Sequence, residues 1–143
     1  MLASVSFGEE HERSTREISA TSLDSLNDEL NLNWSNALIW MDTQGHEGPI
    51  FEGAKRFFLS PLSPKAIVSE FWPYGIERSG SRNAYFKFLT TCFAIYDLNS
   101  PKWKRGETVS VSALNDMYEV MLKSTEKEHH PHTDLLLIPK PVH

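Results

Sequence analysis

Ala84–Leu98, AYFKFLTTCFAIYDL, is the strongest apolar stretch in the 143-residue chain, and its reading decides the fold. Two periods compete in it. Tyr85, Phe88, Leu89, Cys92 and Tyr96 recur at helical spacing. Thr90, Thr91, Phe93, Ile95 and Tyr96 are β-branched or aromatic and suit a half-buried pleated surface. The β-formers predict a long central strand over 84–98. Read as a helix, the same stretch makes the domain all-α.

Upstream, Asn36–Asp42 (NALIWMD) is a short apolar run between polar residues, which predicts a buried strand or a helix continuing from Leu30. Before it, Leu23, Leu26 and Leu30 form a helical stripe over 22–31, with Ser22 or Asp24 as cap. After it, Thr43–Pro49 (TQGHEGP) holds two glycines and a proline and predicts a loop. Ser63 followed by Pro64 is a helix-start signal, so 63–72 is predicted helical and stopped by Pro73. Pro73–Ser81 then predicts a mobile glycine loop.

Downstream, Glu107–Val111 alternates as a strand and would form a hairpin with the central one. Leu114, Met117, Tyr118, Met121 and Leu122 share one helical face, predicting a helix over 112–125. Asp134–Ile138 (DLLLI) predicts a last buried strand, closed by Pro139. The periods alternate without a regular βαβ rhythm. The expectation is therefore an α+β domain with a mixed or antiparallel sheet and about three packed helices, the all-α fold being the alternative. Residues 1–21, rich in Ser, Thr and Glu, are expected to be a flexible tail, and 22–143 a single globular domain.

Composition narrows the class. One cysteine, Cys92, excludes an internal disulfide. No apolar run approaches the roughly 20 residues of a membrane span. MLASVSFGEEHERS carries no basic stretch ahead of its apolar residues and does not read as a secretory signal. A soluble, intracellular, cytoplasmic protein is expected. The formal net charge of −5 conceals a segregation. Residues 1–54 carry −8, residues 55–105 carry +6, and residues 106–143 carry −3. Eleven of the 16 aromatics fall in the basic middle.

No GxSxG, HExxH, Walker or GxGxxG pattern occurs. His46 and Glu47, in the glycine loop, are candidates for an acid–base pair. His129, His130 and His132 form the one histidine cluster, but adjacent side chains in a proline loop diverge, so no metal site is expected. Cys92 sits in apolar sequence, where a small buried thiol is the usual outcome. Lys102, Trp103, Lys104 and Arg105, joined by Arg78 and Arg82, combine cations with a stacking ring. That set could meet a partner, a nucleic acid or an anionic membrane surface.

With no catalytic constellation, no cofactor is expected. The main expectation is a non-catalytic binding or assembly protein acting through protein–protein contact, possibly with itself as a homo-oligomer. Binding of nucleic acid or an anionic surface through residues 55–105 is the first alternative. A small enzyme of unknown reaction is the second.

Overall fold

A computed structural model describes residues 17–124 and 130–141. In chain order the elements are α1 (Leu23–Leu30), β1 (Leu38–Met41), α2 (Glu47–Glu52), α3 (Lys55–Leu59), β2 (Ala66–Phe71), α4 (Pro73–Ser79), α5 (Arg82–Cys92), β3 (Phe93–Asp97), α6 (Val111–Lys123) and β4 (Thr133–Pro139). A 3-10 turn spans Pro101–Arg105. The expected α+β domain with a mixed sheet is what forms, with six α-helices among the described residues rather than three.

The sheet order is β1-β2-β4-β3. β1 and β2 are parallel, with Ile39 opposite Ile67 and Met41 opposite Ser69. β4 is antiparallel to both its neighbours. On one face Met41, Ile67, Phe71, Phe93, Ile95, Leu135 and Leu137 join Phe51, Phe57, Phe58, Tyr85, Phe88, Leu89, Leu114 and Tyr118 in a single core. Phe51 is its hub, within 5.2–5.8 Å, centroid to centroid, of Phe58, Tyr85, Phe88 and Phe93. Such aromatic contacts add roughly 0.5–1.5 kcal/mol each beyond area burial. Most of the aromatics of the basic middle are therefore core.

The opposite face carries Leu38, Trp40, Val68, Leu136, Ile138 and Tyr96, and none of these belongs to that core. Leu38 is 61% exposed and Trp40 66%. Among the described residues the large core thus lies on one face of the sheet, while on the other face Val68 is also buried, at 5% exposure.

Several sequence expectations are corrected. The central strand over 84–98 is two elements, because the period changes at Cys92. Tyr85, Phe88 and Leu89 are buried at helical spacing in α5, and Phe93 and Ile95 at strand spacing in β3. The helix over 63–72 is β2: Ile67, Val68 and Ser69 are buried in succession because the strand lies between two others. A short fully buried strand cannot be told from a helix by spacing alone. Pro73 does not stop a helix but opens α4, so the expected loop at 73–81 is helical. The strand and hairpin at 107–111 do not form; Ser110 caps α6 there through a bond from the Ala113 amide. β1, β4, α1 and α6 fall within the predicted stretches 36–42, 134–138, 22–31 and 112–125, to within a residue at β4 and α6. Of the expected tail, residues 1–16 and the cluster member His129 lie outside the described residues.

On α6, Leu114 and Tyr118 are fully buried, Met117, Met121 and Leu122 only partly. Val120 is 71% exposed. Leu114→Ala is therefore expected to cost about 2–5 kcal/mol. Val120→Ala should stay within about 0.5 kcal/mol, as surface changes do. Urea titration of both variants checks the face assignment.

Candidate functional site

Because β1 and β2 are parallel, both end at the same edge of the sheet. In open α/β sheets, ligands bind outside the carboxyl ends of such strands. Here those ends bring together Asp42, directly after β1, and Glu70, near the end of β2. Asp134, opposite Glu70 on β4, adds a third carboxylate.

The turn after β1 is built around a buried acid. Glu47 is 1% exposed. Its Oε1 accepts from the Thr43 amide at 2.9 Å, the Thr43 hydroxyl at 2.9 Å and the Gly45 amide at 3.4 Å. Gln44 and Gly45 are both left-handed, with φ of 55° and 95°. A Cβ at Gly45 would run into the backbone of Gly75 in α4. The Gly45 carbonyl then accepts from Ser79 Oγ at 2.5 Å and Ser81 Oγ at 2.8 Å. The turn is locked from inside by Glu47 and from outside by the α4–α5 junction.

The end of β2 is held as firmly. Tyr85, fully buried, donates its hydroxyl to the Glu70 carbonyl at 3.0 Å and lies 2.9 Å from Ser69 Oγ. The Glu70 side chain is not satisfied in this way. Its Oε2 is buried without a hydrogen-bond partner among the described residues. Burial pushes its carboxyl up to about 7; the charge of Asp42 and a side-chain hydrogen bond with it push in the same direction, as do the charges of Glu47 and Asp134. Glu70 thus exchanges a proton near neutral pH, where ordinary carboxyls are ionised.

An aromatic cluster follows β2 in the chain. Tyr74 and His130 are stacked at 3.7 Å with an interplanar angle of 5°. Trp72 lies 5.5 Å from Tyr74, and the Arg78 guanidinium is within 6 Å of both rings, at 5.7 and 5.8 Å. A cleft of about 710 Å³ opens on the other flank of the turn, lined by His46, Pro49, Ile50, Gly53, Leu23 and Ser22 among others. That volume is within the range of small-molecule sites.

The residues singled out from sequence fare unevenly. His46 and Glu47 do stand at this edge, but Glu47 is consumed by the turn and is not an acid–base partner. His46 points its Nδ1 toward the Thr43 carbonyl at 3.3 Å and lines the cleft. His130 stacks on Tyr74 while His132 is exposed, and no metal-holding group occurs among the described residues. Burial pushes the Cys92 thiol up, away from nucleophilic use.

Part of the basic set is paired with acids. Arg82 is paired with Glu119 at 2.9 Å and Glu77 at 3.6 Å and lies over the Tyr118 ring. Arg105 is paired with Glu107 at 2.6 Å. Lys102 and Lys104 are exposed in the 3-10 turn, with Trp103 half-buried between them. Glu70 is hidden in the sequence because Ser63-Pro64 makes 63–72 read as a helix; as a parallel strand, its acidic penultimate residue is the signal.

Comparison with known families places this site in a context. The family model for the methyltransferase FkbM domain matches residues 2–121, most of the chain, and the chain belongs to that family. No curated protein and no solved structure matches it. The family overturns the expectation of a non-catalytic binding or assembly protein and the protein-interaction role that went with it. Of the classes drawn from the sequence, the small enzyme is the one it favours. No helix among the described residues is long and apolar enough to cross a membrane.

Two consequences can be measured. Gly80 is also left-handed, but nothing lies within 4 Å of a Cβ placed there. Gly80→Ala should cost about 1–2 kcal/mol from backbone strain alone. Gly45→Ala should cost about 1–3 kcal/mol more, since it also forces backbone apart. For Glu70, the unfolded carboxyl releases its proton near 4.5 and the folded one near 7. Stability contributed by this group is therefore lost as pH rises through that interval. Glu70→Gln should raise Tm at pH 8 and change it little at pH 4.5. A variant less stable at both values would show that the carboxyl is a structural asset.

Proposed function

We propose that this domain, as a member of the FkbM methyltransferase family, takes part in methyl transfer and supplies the acceptor side of the site. The observation that carries the reading is Glu70. A carboxyl with a buried, unpartnered oxygen stands at the carboxyl end of a parallel strand in a chain of methyltransferase lineage. A hydroxyl on the acceptor is the group such a carboxylate serves. The proton moves from the acceptor oxygen to a Glu70 oxygen, and the oxygen becomes a better nucleophile.

Electrostatics narrows the acceptor. Asp42, Glu47 and Asp134 already act on Glu70, so an anionic acceptor would meet net repulsion. A neutral or cationic hydroxyl compound fits. Trp72 and Tyr74 offer ring faces for its apolar side, and Asp42, exposed, can accept from a second hydroxyl.

The methyl donor that the family implies, S-adenosylmethionine, is a nucleoside, and the residues described do not form a cradle for one. Nucleoside sites of doubly wound sheets use a glycine-rich turn so that the ligand can approach the backbone. In the turn after β1 that space is taken by the protein itself: Gly45 meets Gly75, and a Cβ at Gly48 would lie 2.7 Å from the Ser81 carbonyl oxygen. The whole sequence contains no G-x-G.

The test uses the protein purified natively, with whatever accompanies it, and tritiated S-adenosylmethionine. Label is expected to pass to a hydroxyl acceptor. Glu70→Gln should lower kcat by about 10²-fold or more with KM little changed. Absence of transfer by the native preparation, or full activity of Glu70→Gln, overturns the reading.

A further inference from the structure

α4 is seven residues long, too short to hold itself in water, so its pose is set by what grips it. Residues four apart share a helix face, and each such pair in α4 meets a different neighbour. Gly75 and Ser79 face the turn after β1, where Gly75 packs against Gly45 and the Ser79 hydroxyl donates to the Gly45 carbonyl. Pro73 and Glu77 face α6: the Tyr118 hydroxyl donates to Glu77 Oε1 at 2.8 Å and reaches the Pro73 carbonyl at 3.4 Å. Tyr74 and Arg78 face the aromatic cluster, with Tyr74 stacked on His130 and Arg78 over the Trp72 and Tyr74 rings. Trp72 is seated on the same helix, since a Cβ at Gly75 would run into its indole ring.

The grip from α6 is specific. Tyr118 is fully buried, and its ring packs against Phe71 and Phe86 at 5.8 and 5.2 Å. A buried phenol must still satisfy its hydroxyl. Tyr118 does so on a half-exposed carboxylate of another helix, and a charged acceptor makes the stronger bond. Arg82 braces both members. Its guanidinium lies 4.4 Å from the Tyr118 ring centroid and 3.6 Å from Glu77 Oε1, while Glu119 holds it at 2.9 Å. Three helices, α4, α5 and α6, thus meet at one hydrogen bond.

We propose that Tyr118 and Glu77 are positioning residues for the acceptor: their hydrogen bond, braced by Arg82, sets the pose of α4 and with it the ring faces of Trp72 and Tyr74. The inference rests on the methyl-transfer reading, which gives those rings the apolar side of the acceptor. The two residues act from a different flank of α4 than the one that carries Tyr74, so their effect passes through the helix.

The 143-residue chain is followed by proton NMR at one fixed pH, with the His130 ring signal assigned through its loss in His130→Gln. An imidazole stacked on a tyrosine face is moved upfield by the ring current, so this signal reports where Tyr74 stands. Tyr118→Phe deletes the donor hydroxyl and Glu77→Ala its acceptor. Each is expected to move the His130 signal downfield, and the double variant no further than either alone, because one bond is lost in all three. Glu77→Gln keeps an oxygen that can accept and should leave the signal near its wild-type position. In the native preparation with tritiated S-adenosylmethionine, Tyr118→Phe and Glu77→Ala should each raise KM for the labelled acceptor about tenfold with kcat little changed, as lost binding does. Arg56→Gln, which breaks an ion pair between α3 and α1, should move neither readout.

An unmoved His130 signal, additive shifts in the double variant, a Glu77→Gln variant that behaves as Glu77→Ala does, or a fall in kcat at unchanged KM each overturns the proposal. Should Tyr118→Phe fail to fold, the two Glu77 variants carry the same test, since that side chain is half-exposed. Failure of the methyl-transfer reading looks different: the native preparation transfers no label, whatever the His130 signal does, and the acceptor role falls with it.

Discussion

The parallel pairing of β1 with β2 is the constraint from which most of this structure follows. Two parallel neighbours cannot be joined by a tight turn. The chain between Met41 and Ala66 must therefore climb over one face, and it does so as α2 and α3, whose Phe51, Phe57 and Phe58 supply much of the core. The same pairing sends both strands out at one edge. Asp42 and Glu70, far apart in sequence, come to stand in register there because Met41 lies opposite Ser69. An antiparallel pairing of the same strands would have put these acids at opposite ends of the sheet.

What surrounds the two acids is stiff in one part and costly in another. Three bonds onto Glu47 and two onto the Gly45 carbonyl leave the turn after β1 little freedom. Tyr85 fixes the Glu70 backbone. Glu70's own carboxyl is held among other acids with one oxygen dry, an arrangement that lowers stability at neutral pH. Folds commonly tolerate such strain where chemistry uses it. The rigid backbone on either side keeps the group from relaxing into water.

The sequence was legible where burial is one-sided. Leu114 and Tyr118 mark the inner face of α6, and the DLLLI run marks β4, because polar neighbours give the period a contrast. It was illegible where burial is two-sided or the period changes. Ile67, Val68 and Ser69 give no alternation because β2 lies between two strands. Ala84–Leu98 reads as one element only if Cys92 is taken to continue a pattern that in fact ends there. Half of the site was visible for a reason the structure reassigns: Glu47 and His46 were noticed as polar residues in a glycine turn, but the turn uses Glu47 as its core. Glu70 depended on β2 and so stayed hidden with it.

Charge shows most clearly why blocks in sequence are not patches in space. Three bases of the middle, Arg56, Arg82 and Arg105, pair with acids from the two ends. Arg56 holds Asp28 at 2.7 Å, and its amide donates to Asp24, while Arg82 holds Glu119. Acids drawn from all three blocks, Asp42 and Glu47 from the first, Glu70 from the second and Asp134 from the third, act together at one edge of the sheet. Asp42 and Glu70 stand where the two parallel strands end, and Asp134 faces Glu70 from β4, so strand direction, rather than net charge, concentrates them. That concentration adds to burial in raising Glu70 toward neutrality. In a chain whose −5 is distributed by its fold in this manner, overall acidity is a poor guide to the field at any one edge.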